Sequence, residues 1–461
     1  MSWLVRLLAP LGALVLEGPG AAVGGLFFQE AGLYAAGRVV DACERTWARR
    51  LFVGAFLLRV AIALPLHYVN KLDNGNGALF QDDYTNDLVA EWLLRIARGE
   101  GLSIFAGHQH LLDSTYTYLL MALYAIFGHA PLLPKLLNSA VGALSAVLIF
   151  DIGRRAFRPS VAVIAALGAA VMPSLVLWSI VTLKESLVLL VALIGLCALQ
   201  RLAESGLTRW ARGDALAVLV AAGVVSLDLR STTTILLLLL LPLVLLRRAP
   251  PWRLAAAVCG LVVLVGGGVL VARSSTSGRP LSGVVEDAVL QIRHRRAQEA
   301  AAARSVIRPQ LEVISPEGRT ELPEAEAASD AAPFSFGGDV LDPLAYALLA
   351  PAPWQAHSLM ELGASAEMLV WYVLLAGSVF AWRVAPRQRL FVACLVAYGV
   401  ANWLVLAASE GNLGNLVRHR VMLAPTLLVL GSAGLEWLWL RAGRARLGRW
   451  SAWREPARVE S

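Results

Sequence analysis

The sequence predicts an all-α, polytopic integral membrane protein. Three observations predict it. Of 461 residues, 57% are hydrophobic and only 16% are charged, too apolar a balance for a soluble chain of this size. Uncharged runs of near membrane-spanning length recur along the whole chain. The runs are rich in Leu and Ala and lack the alternation of a membrane β-barrel, so their backbone groups must be satisfied within helices.

Residues 1–50 form an N-terminal segment. Its apolar run 7–16 is interrupted by Pro10 and closed by Glu17-Gly18-Pro19-Gly20, too short for an ordinary span. It reads as an interfacial helix or the core of a signal peptide. Arg45, Arg49 and Arg50 then precede the first clear span, 51–69, and set its start in the cytoplasm. Arg59 lies inside that span, where an arginine faces other helices or snorkels.

The loop 70–113 falls on the far side. Asp73-Asn74-Gly75-Asn76-Gly77 is turn chemistry. Then come Phe80-Gln81-Asp82-Asp83-Tyr84-Thr85-Asn86-Asp87, with paired acids a few residues from a lipid boundary. Charge near hydrocarbon is costly, so such acids point to function. Leu88, Val89, Trp92, Leu93, Leu94 and Ile96 recur at helical spacing, with Glu91, Arg95 and Arg98 largely opposite. This predicts an amphipathic surface helix that stops at Gly99.

Apolar runs follow at 114–127, 135–152, 161–180, 184–202, 215–227, 232–246 and 254–271. Basic connectors at 154–158, 209–212 and 247–253 belong in the cytoplasm, which sends Thr182-Leu183-Lys184-Glu185 and Asp228-Leu229-Arg230-Ser231 outward, to the side of the acidic loop. Only one crossing fits between that loop and Arg154, so 114–127 is expected to be a re-entrant or surface helix. The module 51–271 is followed by a polar outer region, 272–341, and a second transmembrane module, 342–440, with runs at 366–382, 390–407 and 421–440. A basic cytoplasmic tail, 441–461, closes the chain. At roughly twenty residues per span, this amounts to about ten or eleven transmembrane helices.

The arginine clusters are a topology signal, so the expected surroundings are membrane lipids and no nucleic acid. Cys43, Cys197, Cys259 and Cys394 are scattered without metal spacing and read as small hydrophobes. His108, His110 and Asp113 have the spacing of a metal site, though a loop histidine pair is more often incidental. Two constellations carry chemistry. Asp82 or Asp83 can take a proton from an attacking hydroxyl. The pair can instead hold Mg²⁺ or Mn²⁺, since hard cations take oxygen ligands. The bland alternative is that Asp82 caps the surface helix while Asp83 and Asp87 complement its dipole. The second constellation runs from Glu410 to Arg420 on the expected outer side. There Arg418, His419 and Arg420 suit a lipid-linked phosphate, and Arg230 and Lys184 are further candidates for it. Lys184 and Glu185 are also expected to pair with one another.

The order of these features resembles the GT-C superfamily of membrane glycosyltransferases, in particular its family 39 and protein-mannosyltransferase-like members. The features are a first span, the acidic loop Asp82-Asp83-Tyr84, a surface helix ending in Gly, Tyr116-Thr117-Tyr118-Leu119, Leu136-Leu137-Asn138-Ser139, the break from Pro173 to Ser179, and Lys184-Glu185. The likeness covers roughly residues 51–246. It implies a GT-C-like fold and a bacterial-type inner membrane. It implies transfer of a sugar from a polyprenyl-phosphate donor to a lipid, glycan or protein acceptor on the non-cytoplasmic face. It also implies that an outer-loop aspartate is the base or a metal ligand. A lipid-linked glycan flippase and a polysaccharide polymerase or ligase are the alternatives.

Overall fold

The computed structural model describes residues 3–100, 114–204, 208–245, 341–355, 359–384, 387–410 and 413–452. Runs 254–271 and the polar region up to residue 340 lie outside the described residues, as do His108, His110 and Asp113. Among the described residues the chain is helical, with no strand. Among the described residues, seven helices are long and apolar enough to cross a membrane, and Thr115–Phe127 and Pro159–Val171 are apolar but shorter.

The helices, in chain order, are α1 Trp3–Glu17, α2 Pro19–Val39, α3 Arg45–Asn74, α4 Gln81–Ala97, α5 Thr115–Phe127, α6 Leu132–Ala156, α7 Pro159–Val171, α8 Pro173–Leu177, α9 Glu185–Ala203 and α10 Arg209–Leu245. After the polar region come α11 Asp342–Leu349, α12 Leu359–Val379, α13 Arg389–Ser409, α14 Leu413–His419 and α15 Ala424–Ala452. The segment 7–16 belongs to a helical hairpin. Gln29 Nε2 donates to the Arg6 carbonyl at 3.1 Å, so α1 and α2 run antiparallel about Gly18. The α2 face Gly24, Gly25 and Phe28 is buried in the bundle, and Leu133 and Leu136 of α6 lie against its glycines.

Helix α6 is the axis of the bundle, with nearly every residue buried. Its 25 residues make it about 37 Å long, enough to separate two polar ends. At its C-terminal end, Arg154 pairs with Asp41, Glu44 and Asp151 at 2.8, 2.7 and 3.0 Å, and Arg155 with Asp151 and Glu204 at 2.9 and 3.2 Å. The opposite end carries the acidic turn. Helix α5, at 13 residues, is too short to cross, in keeping with the single crossing expected between the acidic loop and Arg154.

The expected span 161–180 is broken. Pro173 cannot continue α7, because it lacks the N–H and clashes with the preceding turn. The break strands the last carbonyls of α7 inside the apolar interior, and Arg59 accounts for them. Its guanidinium donates to the Ala169 and Ala170 carbonyls at 3.3 and 3.0 Å, to Ala55 O at 3.0 Å and to Ser179 Oγ at 2.8 Å, at 1% exposure. A cation at a helix C-terminus also meets the negative end of its dipole. Gly142 leaves the room this needs, since a Cβ there would sit 2.8 Å from Arg59 Nε.

The runs 215–227 and 232–246 lie on two arms of α10, hinged at Arg230, whose φ of −163° and ψ of 95° are non-helical. Thr234 Oγ1 reaches Gly223 O at 2.9 Å and Ser226 Oγ at 2.8 Å, contacts that a straight helix forbids at such separations. The arms therefore fold back on one another. In the C-terminal module α12 and α15 touch backbone to backbone: a Cβ on Gly434 would lie 1.8 Å from Gly377 O. Gly434→Ala should cost about 1–3 kcal/mol or more of stability, read as a lowered unfolding temperature in detergent. An unchanged midpoint would refute this packing.

Trp371, inside α12, is buried and donates to Glu367 at 2.9 Å. Cys43 is exposed rather than buried, and Cys43, Cys197 and Cys394 are free thiols.

Candidate active site

Helix α4 turns an unexpected face inward. Asp83, Asp87, Ala90 and Leu94, at i, i+4, i+7 and i+11, are buried, so two acids share the buried stripe with apolar residues. Asp83 is 1% exposed. Its carboxylate accepts from the amides of Leu79 at 2.9 Å and Thr182 at 2.8 Å, and Lys135 Nζ lies 3.5 Å away. It is thus Asp83 that ties down the start of α4, while Asp82 makes no cap bond. Lys135 in turn meets the Gly77 carbonyl and His67 Nδ1, and His67 Nε2 lies 2.6 Å from Glu17. Burial raises the Glu17 pKa, but His67 and Lys71 outweigh it and hold the carboxyl below its usual range. A chain of buried polar groups therefore joins α1, α3, α4 and α6 beside the acidic turn.

The irregular stretch between α8 and α9 is pinned from the same side. Its backbone has no helix to satisfy it, so side chains do. Asn86 donates to Thr182 O at 3.0 Å, and Asn138 donates to Val181 O and Leu183 O at 2.6 and 2.9 Å. Lys184 and Glu185 are held at the end of this braced strip.

Asp82, next to Asp83 in the sequence, points the other way. Its side chain is 63% exposed, and Oδ2 lies 2.6 Å from Arg418 Nη1. Arg418 Nε lies 2.7 Å from Glu185, whose carboxylate is 2% exposed. His419 Nδ1 meets Glu410 at 2.8 Å, and its Nε2 is 3.9 Å from Glu185. Burial opposes ionisation of Glu410, but the His419 contact overcomes it and lowers its pKa. The acidic turn after the first long span and the cationic turn before the last therefore meet, 336 positions apart in sequence.

Arg230 projects from the α10 hinge into reach of the charges of Glu185, Glu410 and Arg418. Lys184 lies among Glu185, Arg230 and Arg418; burial lowers its pKa against the pull of Glu185. No ion-pair partner of either cation is found among the described residues. Arg420 stands apart from the other candidates. It is 3% exposed and donates to the Ala347 carbonyl at 3.1 Å, to Ala350 O and to Met368 S, holding the C-terminal end of α11 much as Arg59 holds α7.

Asp82 and Asp83 face different partners, Asp83 two backbone amides and Lys135, Asp82 the guanidinium of Arg418. Among the described residues no group of three His, Cys, Asp or Glu side chains is placed to hold a metal ion.

Sequence reasoning missed Glu185 as the partner of Arg418, and Glu410 as the partner of His419. The signal for Glu185 was an acid opening an apolar run, which the expected pairing with Lys184 masked. Lys135, a lone charge in the first turn of a buried helix, was the corresponding signal for the network under Asp83.

Asp87 accepts from Tyr124 OH and lies 3.3 Å from His129 Nε2. That hydrogen bond, more than any other effect, raises the His129 pKa above 6.5. The folded chain then holds this proton more tightly than the unfolded one. The contribution is complete below pH 6.5 and is lost as pH rises through the raised value. The unfolding temperature should fall across that window, and fall less in His129→Gln. Identical pH curves for the two proteins would refute this.

No protein-family model, curated protein or solved structure matches this chain.

Proposed function

We propose that this protein is a GT-C-type membrane glycosyltransferase that moves a sugar from a polyprenyl-phosphate donor to a lipid, glycan or protein acceptor. The observation that carries the reading is the meeting of exposed Asp82 with Arg418 beside two cations, Lys184 and Arg230. A base next to an anion-binding cluster at one end of a helical bundle is what transfer from a lipid phosphate requires. The acceptor oxygen attacks the anomeric carbon and its proton passes to the Asp82 carboxylate. The bond from the anomeric carbon to the phosphate oxygen breaks, and its electron pair leaves with the polyprenyl phosphate. Arg418, Arg230 and Lys184 stabilise that charge, and His419 braces Glu410 beside them. Asp83 acts indirectly, by fixing the turn that presents Asp82. Arg420, engaged with carbonyls, is left out of the phosphate set.

The opposite end, with Arg154, Arg155 and Arg389, is the more basic and by the positive-inside rule the cytoplasmic one. The reaction then occurs on the outer face, in a membrane of the bacterial inner type. A flippase reading is weaker because Arg59 and Asp151, charged groups inside the apolar runs, are both taken up by protein partners.

The test is consumption of a radiolabelled polyprenyl-phosphate sugar by the purified protein in liposomes containing the native lipid extract. Release of polyprenyl phosphate with transfer of label is expected. No donor consumption, or full turnover after Asp82 and Asp83 are both replaced by alanine, would overturn the proposal.

A further inference from the structure

The site is closed by its own ion pairs. Arg418 is gripped from inside by Glu185, at 2% exposure, and from outside by Asp82, at 63% exposure. Both carboxylates lie within 2.7 Å of the guanidinium, so a phosphate that takes its hydrogen bonds from Arg418 must displace one of them. The two grips differ in strength. A buried carboxylate cannot release its cation cheaply, since an uncompensated buried charge would result. An exposed carboxylate exchanges its cation for water at little cost.

From this asymmetry we infer that Arg418 is a donor-operated switch, an inference that rests on the function proposed above. A phosphate monoester or diester arriving at the membrane surface displaces Asp82 from the outer nitrogen of Arg418, while Glu185 keeps the guanidinium in place. Displacement frees Asp82 Oδ2, the oxygen that Arg418 Nη1 occupies at 2.6 Å, to accept the hydrogen bond of the acceptor hydroxyl. With no donor seated, that oxygen is taken by Arg418. The site thereby couples donor binding to activation of the acceptor hydroxyl. No bond is made or broken in the switch, only the partner of Arg418 changes.

The prediction has an unusual sign: removing the proposed base should tighten donor-phosphate binding. Binding of polyprenyl phosphate to detergent-solubilised protein is measured for wild type, Asp82→Asn, Arg418→Gln and the double variant, with inorganic phosphate as a second probe for the headgroup alone. Asp82→Asn should bind polyprenyl phosphate about fivefold tighter, the worth of one exposed ion pair removed from competition. In the Arg418→Gln background the same change should give no gain, because there is nothing left to compete for. Simple repulsion between Asp82 and phosphate predicts the opposite, a gain that persists or grows without Arg418, and that result would overturn the switch. So would equal affinity of wild type and Asp82→Asn. Failure of the functional reading looks different: no binding of polyprenyl phosphate by wild type, or binding untouched by Arg230→Gln and Lys184→Gln together. Asp82 is exposed, and a monodisperse elution profile with unchanged helical content confirms that its variant is folded.

Discussion

Asp82→Asn should leave a folded protein that transfers sugar about 10²–10⁴-fold more slowly, while Asp83→Asn should damage the fold itself. The two residues are adjacent, and identical in type, yet they face opposite surroundings. Asp82 is exposed and touches only the movable end of Arg418. Its amide analogue removes a proton acceptor and little else. Asp83 is buried, accepts two backbone amides and stands 3.5 Å from Lys135, which is itself 4% exposed. Neutralising it leaves a buried ammonium without a carboxylate, at a cost of about 3–5 kcal/mol. The pair of variants is to be compared by initial rate and by unfolding midpoint. Loss of rate without loss of stability in Asp82→Asn, and loss of stability in Asp83→Asn, is the expected pattern. The reverse pattern would assign the two aspartates the other way round.

The second large effect is expected far from the chemistry. Arg59→Met removes the donor that serves the stranded carbonyls of Ala169 and Ala170 and the hydroxyl of Ser179. Methionine fills much of the same volume, so the loss is one of hydrogen bonds rather than of packing. Each buried acceptor left without a donor costs about 1–3 kcal/mol. Relief of the arginine's own desolvation offsets part of this, leaving a net loss of about 3 kcal/mol or more. Midpoints from thermal unfolding in detergent, or yield of monodisperse protein, report it. A variant as stable as wild type would mean that the broken end of α7 is satisfied some other way.

Much of the fold was legible because membrane segments declare themselves through length and apolarity. The helices at 51–69, 135–152, 184–202 and 390–407 follow directly from long apolar runs, and the positive connectors pair the two ends. The apolar periodicity over 88–96 did not place the acids of α4, and Asp83 and Asp87 turn inward to backbone amides and Tyr124. The apolar run 161–180 continues through Pro173 although the helix does not, at the break that the sequence marks from Pro173 to Ser179. The site was legible as two halves. Acids by the first long span and cations before the last were each visible, but their contact depends on packing between residues 82 and 418, which no local pattern encodes. The fates of Arg418 and Arg420 were not separable from sequence either: two residues apart in a tight helical turn, one faces Asp82 and the other the carbonyls of α11.

The central claim is that these two turns share one site on the outer side of the membrane. It is tested most directly with cysteines placed at Asp82 and Arg418, after replacement of Cys43, Cys197, Cys259 and Cys394. A short, membrane-impermeant bifunctional thiol reagent is added to intact cells, and the intramolecular bridge is scored by mass spectrometry. Bridging from outside, and none when either cysteine is omitted, is the predicted result. Failure to bridge, or bridging only once the cells are opened, would contradict the account.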